Sequence, residues 1–166
     1  VDPVSGNLYV VDTAEHSLKL FSPDGELLET IGRRGTGDGQ FNYPTMIWRQ
    51  ADGTLLVTDS LNFRIQVFDE AGNYLRKFGQ AGSGGGDIAR PKGVAADSQG
   101  HIYVVDSLFH AFQIFDTHGS YLMNVGAQGS SLGEFWLPAG VFIGQGGLVY
   151  VADSFNRRVQ VFRYIG

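Results

Sequence analysis

An all-β fold assembled from a repeated four-strand unit is what this sequence predicts, and three observations predict it. The first is composition: 24 Gly, only 5 Pro, 12 Phe and 7 Tyr in 166 residues suit short aromatic strands joined by glycine turns. The second is an internal repeat. The segments "NLYVVDTAEHSLKLFSPDG" (7–25), "TLLVTDSLNFRIQVFDEAG" (54–72), "HIYVVDSLFHAFQIFDTHG" (101–119) and "LVYVADSFNRRVQVF" (148–162) align without gaps. The third is the pattern inside each unit, where apolar residues come in short β-branched and aromatic runs and no window has helical spacing.

The repeat length follows from fixed positions. Asp12, Asp59, Asp106 and Asp153 are separated by 59−12, 106−59 and 153−106, each equal to 47. Gly32, Gly79 and Gly126 keep that step, as do Pro44, Pro91 and Pro138. Within the third unit, "GVAAD" (93–97), "HIYVVD" (101–106), "AFQIFD" (111–116) and "YLMNVG" (121–126) predict four consecutive strands, with "DSQG" and "DTHG" as tight turns. Such a meander cannot bury both faces alone, yet its second strand is apolar on both. Packing several meanders face to face around an axis solves this, which is the β-propeller. The chain supplies about 3.5 blades, with units at approximately 1–44, 45–91, 92–138 and 139–166.

The unit type is narrowed by its wording. WD40 signatures are absent, since Trp48 precedes Arg49 and Trp136 precedes Leu137, and no kelch double glycine recurs in register. "PKGVAADSQGHIYVVDS" and "VADSFNRRVQVF" resemble the NHL repeat of bacterial proteins, and the resemblance runs through the whole chain. It implies a six-bladed ring of which this is the C-terminal portion. Open blades would expose apolar faces and unpaired edges, so further blades are expected, from a missing part of the chain or another copy. The resemblance also implies an exported, periplasmic or extracellular protein in an envelope or redox-protein assembly.

Charge and cysteine bound the function. A net charge of −5 provides no bulk attraction to phosphate backbones, and Arg33-Arg34 and Arg157-Arg158 are too few for the RNA-binding face known in animal NHL proteins. No Cys is present, which removes disulfides and thiolate metal sites, and no apolar run reaches bilayer length. No cofactor, nucleic-acid partner or membrane span is predicted.

Polar residues that recur in every blade serve the blade, because one active site needs one set of groups. Asp12, Asp59, Asp106 and Asp153, with Thr13, Ser60, Ser107 and Ser154 beside them, are therefore assigned to turn architecture. Around a six-fold ring these carboxylates would stand roughly 10 Å or more apart, beyond joint metal ligation at ~2–2.6 Å. The glycine-rich stretches 32–41, 79–88 and 126–135 lead into Pro and an inner strand rather than a helix, so they are connectors and not phosphate loops. Propellers related to NHL, the peptide-amidating lyases and gluconolactonase-like lactonases, hold metal sites on the axis. His16 and His110 would be the sole candidate pair here, and both lie outward of it.

Function is expected where blades differ. Loops between second and third strands carry Leu61, Phe63, Leu108, Phe109 and Phe155, with His16, His110 and Arg157 on the same rim. Connectors add Arg33, Arg34, Tyr43 and Trp136. Exposed aromatics with Arg have the composition of protein-binding hot spots. The primary expectation is a non-catalytic scaffold for a protein partner; the alternatives are a metal-dependent lyase or lactonase with an axial site, and an RNA-binding domain.

Overall fold

The computed structural model describes residues 1–164. They form four antiparallel sheets in chain order. The first contains β1 (Leu8–Asp12), β2 (Ser17–Phe21) and β3 (Leu27–Ile31); the second β4 (Pro44–Arg49), β5 (Leu55–Asp59), β6 (Arg64–Phe68) and β7 (Tyr74–Phe78). The third is β8 (Pro91–Ala96), β9 (Ile102–Asp106), β10 (Ala111–Phe115) and β11 (Tyr121–Val125); the fourth β12 (Gly140–Ile143), β13 (Leu148–Asp153) and β14 (Arg158–Arg163). Each sheet is a meander of sequential neighbours. By the 47-residue register, the first sheet holds strands two to four of a blade and the last holds strands one to three.

The doubly apolar second strands do what their composition predicts. Every residue of β5 and β9 is buried. Because side chains alternate, Leu55 and Val57 pack toward the first sheet while Leu56 packs toward the third. Likewise Ile102 and Val104 join the second-sheet interface, and Tyr103 and Val105 join the fourth-sheet interface. The three cores are thus the three seams between blades.

Each seam is closed at one corner by a connector residue. Phe41, Ile88 and Phe135 are wholly buried, and each stands nine residues after the glycine that begins its connector. Gly32, Gly79 and Gly126 have φ of +81°, +85° and +105°, and a Cβ on any of them would overlap the Phe41, Ile88 or Phe135 side chain. Glycine is required here twice, for the left-handed backbone and for the approach of the plug.

The two outermost sheets present apolar side chains outward. On the fourth, Phe142, Val159 and Val161 are exposed, whereas Val149, Val151 and Phe162 turn inward against the third sheet. On the first, β1 lacks the full burial of β5 and β9. No described helix is long and apolar enough to cross a membrane.

Candidate partner-binding face

The loops between second and third strands and the interblade connectors meet at one end of the sheets. Backbone bonds join them in pairs: Leu61 N donates to Asn42 O (2.9 Å), Ser107 N to Arg90 O (3.0 Å) and Phe155 N to Trp136 O (3.1 Å). The second, third and fourth blades so contribute one couplet of loop and connector residues each. Leu61, Leu108, Phe155, Tyr43 and Trp136 are all exposed there, Phe155 most of all at 63%. The Trp136 and Phe155 rings stack 6.1 Å apart. Arg157 is exposed on the same rim, and Arg33 and Arg34 are exposed at the outer start of their connector.

Other rim candidates are partly consumed by the scaffold. Phe63 and Phe109 are half-buried. His16, Phe63, His110 and Arg157, one per blade in register, all have φ between 52° and 57°, so this loop position is a strained turn in every blade. His16 Nδ1 accepts the Tyr43 N–H (2.9 Å) and His110 Nδ1 accepts the Leu137 N–H (3.1 Å). Tyr43 and Leu137 are themselves left-handed; Arg90, opposite Phe63, is not. The two histidines are latches between loop and connector.

The recurring aspartates are structural, by a larger network than a turn. Asp59 is fully buried. Its carboxylate accepts the Asn42 backbone N–H (2.6 Å), Arg64 Nε (2.7 Å), Asn62 Nδ2 (2.9 Å) and Gln66 Nε2 (3.1 Å). Arg64 continues to the carbonyls of Thr36 (3.0 Å), Gly37 (2.7 Å) and Gln40 (2.9 Å), and Asn62 to that of Gly35 (2.9 Å). The incoming connector is thereby clamped to the blade it enters. Asp153, Asn156, Arg158 and Gln160 repeat the arrangement on the carbonyls of Gly129, Ser130, Ser131 and Glu134. Burial pushes the Asp153 carboxyl up, but the Trp136 N–H, Asn156 and Arg158 outweigh it and hold its pKa below the ordinary value. Asp12 instead pairs with Lys19. The neighbouring hydroxyls tie forward to the next inner strand: Thr13 Oγ1 donates to Pro44 O (2.7 Å) and Ser60 Oγ to Pro91 O.

At the opposite end, one cluster belongs to a single blade. Asp97 accepts His101 Nδ1 (2.9 Å) and Tyr103 Oη (3.1 Å), and its other oxygen accepts the Gln99 and His101 N–H groups. Burial and the adjacent carboxylate push the Tyr103 phenol up. A cleft beside Asp97 reaches Gly144 and Tyr164. Sequence reasoning passed over Asp97 and Tyr103; the signal was that these positions are Gln50 and Leu56 one unit earlier. Among the described residues no group of three or more His, Cys, Asp or Glu stands close enough to hold a metal ion.

A family model described as a 6-bladed beta-propeller matches residues 49–112 and 95–164. Among curated proteins no sequence matches. Among solved structures, a streptogramin B lyase superposes with a TM-score of 0.70 at 11% identity, covering 100% of this chain and 54% of that one. A virginiamycin B lyase from Staphylococcus aureus gives 0.67 at 14% identity, covering 96% and 53%. The WD40 propeller domain of Doa1 gives 0.67 at 15% identity, covering 98% and 48%. At such identities these likenesses show the fold alone, and the chain spans about half the length of the solved structures it matches.

Proposed function

Since the chain belongs to the 6-bladed β-propeller family, we propose that it is a non-catalytic scaffold that binds a protein partner across its connector-and-loop rim. The observation that carries this reading is the row of exposed side chains where loops bond to connectors: Leu61 beside Asn42 and Tyr43, Leu108 and Arg90 on either side of the Ser107–Arg90 bond, and Phe155 on Trp136. Large apolar side chains held in fixed loops lose little entropy on binding and desolvate well. The clamps and latches beneath them supply rigidity. Further blades complete the ring, and the exported location implied by the NHL resemblance belongs to the same proposal.

The test uses the full chain with Leu61, Leu108 and Phe155 all replaced by Ser. Phe63 and Phe109 are left intact because they are half-buried. Each replacement should shift stability by about 0.5 kcal/mol, while co-purification of the native partner falls at least tenfold. Undiminished co-purification with unchanged stability would refute the rim.

A second reading, metal-dependent lyase or lactonase chemistry, rests on the Asp97–His101 pair beside a cleft. Metal content of the purified full chain separates the readings. Stoichiometric zinc or calcium favours the lyase; its absence favours the scaffold.

A further inference from the structure

The third blade departs from its neighbours at the clamp. Where the second and fourth blades have Asn62 with Arg64 and Asn156 with Arg158, it has Phe109 with Ala111. The glutamine is retained. Gln113 Nε2 donates to Asp87 O (2.7 Å) and its Oε1 accepts the Gly86 N–H (2.9 Å), as Gln66 does with Gln40 and Gly39. Asp87 N donates to Gly84 O (3.1 Å), the counterpart of Gln40 N to Gly37 O (3.2 Å) and Glu134 N to Ser131 O (3.2 Å). Gly86 is left-handed (φ 86°), like Gly39 (71°) and Gly133 (80°). The connector therefore follows the path it takes in the other two blades.

What differs is that its carbonyls have lost their side-chain donors. Gly82, Ser83 and Gly84 stand in register with Gly35, Thr36 and Gly37, whose carbonyls accept from Asn62 and Arg64. Ala111 ends at Cβ and Phe109 carries no donor, so neither replaces those bonds. Beside two of those carbonyl-bearing residues, Ser83 and Gly84, a cleft of about 240 Å³ opens, lined also by Gly85, Phe109, Gln113, Tyr121 and Asn124.

We propose that this cleft receives an arginine side chain presented by a protein partner, whose guanidinium bonds in trans the Ser83 and Gly84 carbonyls, as Arg64 bonds those of Thr36 and Gly37 within the chain. A guanidinium has five donors in a planar fork, and the two intact clamps show that fork spread over the homologous carbonyls. It is weakly hydrated and stacks on aromatic faces, which Phe109 and Tyr121 supply. The Asp87 carboxylate, bonded to Gly84 N (2.8 Å) and Gln80 Nε2 (3.0 Å), adds negative charge to the same connector. Asp106 is already held by the N–H groups of Ala89, Arg90, Leu108 and Phe109, so the fold stands without the guest. Because Phe109 shares its loop with Leu108, the cleft adjoins the rim, and the proposal rests on the partner-binding reading above by naming what the partner inserts.

The experiment titrates the full chain with N-acetyl-arginine amide and, separately, N-acetyl-lysine amide, following backbone amide shifts. Saturable shifts at Gly82 to Gly86 and at the Gln113 side-chain amide are expected with the arginine probe, at a Kd of about 1 mM, and at least tenfold weaker with lysine. The double variant Phe109→Asn with Ala111→Arg, which copies the intact clamp, should abolish them. If that variant does not fold, Tyr121→Leu, at a 39% exposed position, should weaken binding several-fold. No saturable shift, equal response to lysine, or unchanged binding in the variants overturns the proposal. The Leu61, Leu108 and Phe155 triple variant should still bind the arginine probe. If wild type fails to bind it while the triple variant still loses its partner, the rim stands and only the arginine receptor falls.

Discussion

Replacing Arg64 by Ala removes the centre of the intact second-blade clamp. Four hydrogen bonds disappear, one to Asp59 and three to carbonyls of residues 36, 37 and 40. The Asp59–Arg64 pair is almost sealed, with side-chain exposures of 0% and 7%. Breaking such a pair from one side leaves a buried charge short of partners and costs about 3–5 kcal/mol. Arg158 makes the same bonds with its side chain 27% exposed, so water replaces part of what is lost and Arg158→Ala should cost about 1.5–3 kcal/mol. At ~2–4 °C per kcal/mol for a chain of this size, Arg64→Ala should lower the Tm by roughly 6–20 °C. Thermal and urea denaturation of the full chain measures the loss, and hydrogen exchange at the Gly39 amide, bonded to Gln66, locates it. A cost below about 1 kcal/mol for Arg64→Ala, or a larger cost for Arg158→Ala, would refute the clamp as a buried electrostatic unit.

Three further outcomes are expected. Gly79→Ala should destabilise by about 2 kcal/mol or more, from left-handed strain and overlap with Ile88, while alanine at Gly133, where no atom lies within reach of a new Cβ, should cost only the strain of its φ of +80°; paired melting curves compare them. His110→Ala should cost about 1–3 kcal/mol by leaving the part-buried Leu137 N–H unpaired, with faster exchange at that amide as the check. Asp153 has its folded pKa depressed, so its stabilisation is present above the unfolded value near 3.8 and is lost as pH falls through the lower folded one; Asp153→Asn should flatten the acid limb of a stability profile.

The architecture was legible because it is carried by identities at a fixed step. Asp, Gly and Pro recurring every 47 residues marked strand ends, connectors and inner strands, and the doubly apolar "LLV" and "IYVV" runs announced strands buried on both faces. The functional reading was less legible, for physical reasons that differ by residue. Asn62 and Arg64 act on backbone carbonyls 24 to 28 residues away, and a carbonyl has no sequence signature. The latches of His16 and His110 depend on left-handed Tyr43 and Leu137, bulky residues that no local rule places in that conformation. Asp97, His101 and Tyr103 come together across one turn, and only comparison with Gln50, Thr54 and Leu56 shows them to be special to their blade. Leu61 and Leu108 were readable as exposed because their register in the loop was fixed by the aspartate before them.

The clamp joins a connector to the blade that follows it, whereas the glycine-and-plug corner ties that connector to the strand it leaves. Cutting the chain by its sequence repeat would therefore sever the connectors entering the second and fourth blades from the side chains that clamp them. The cooperative unit is staggered against the repeat: it starts at the connector glycine and ends after the third strand of the next blade. Segments excised as 32–68 or 126–163 should hold the clamp contacts of their connector, while a segment ending at the connector's last residue keeps only the glycine-and-plug corner.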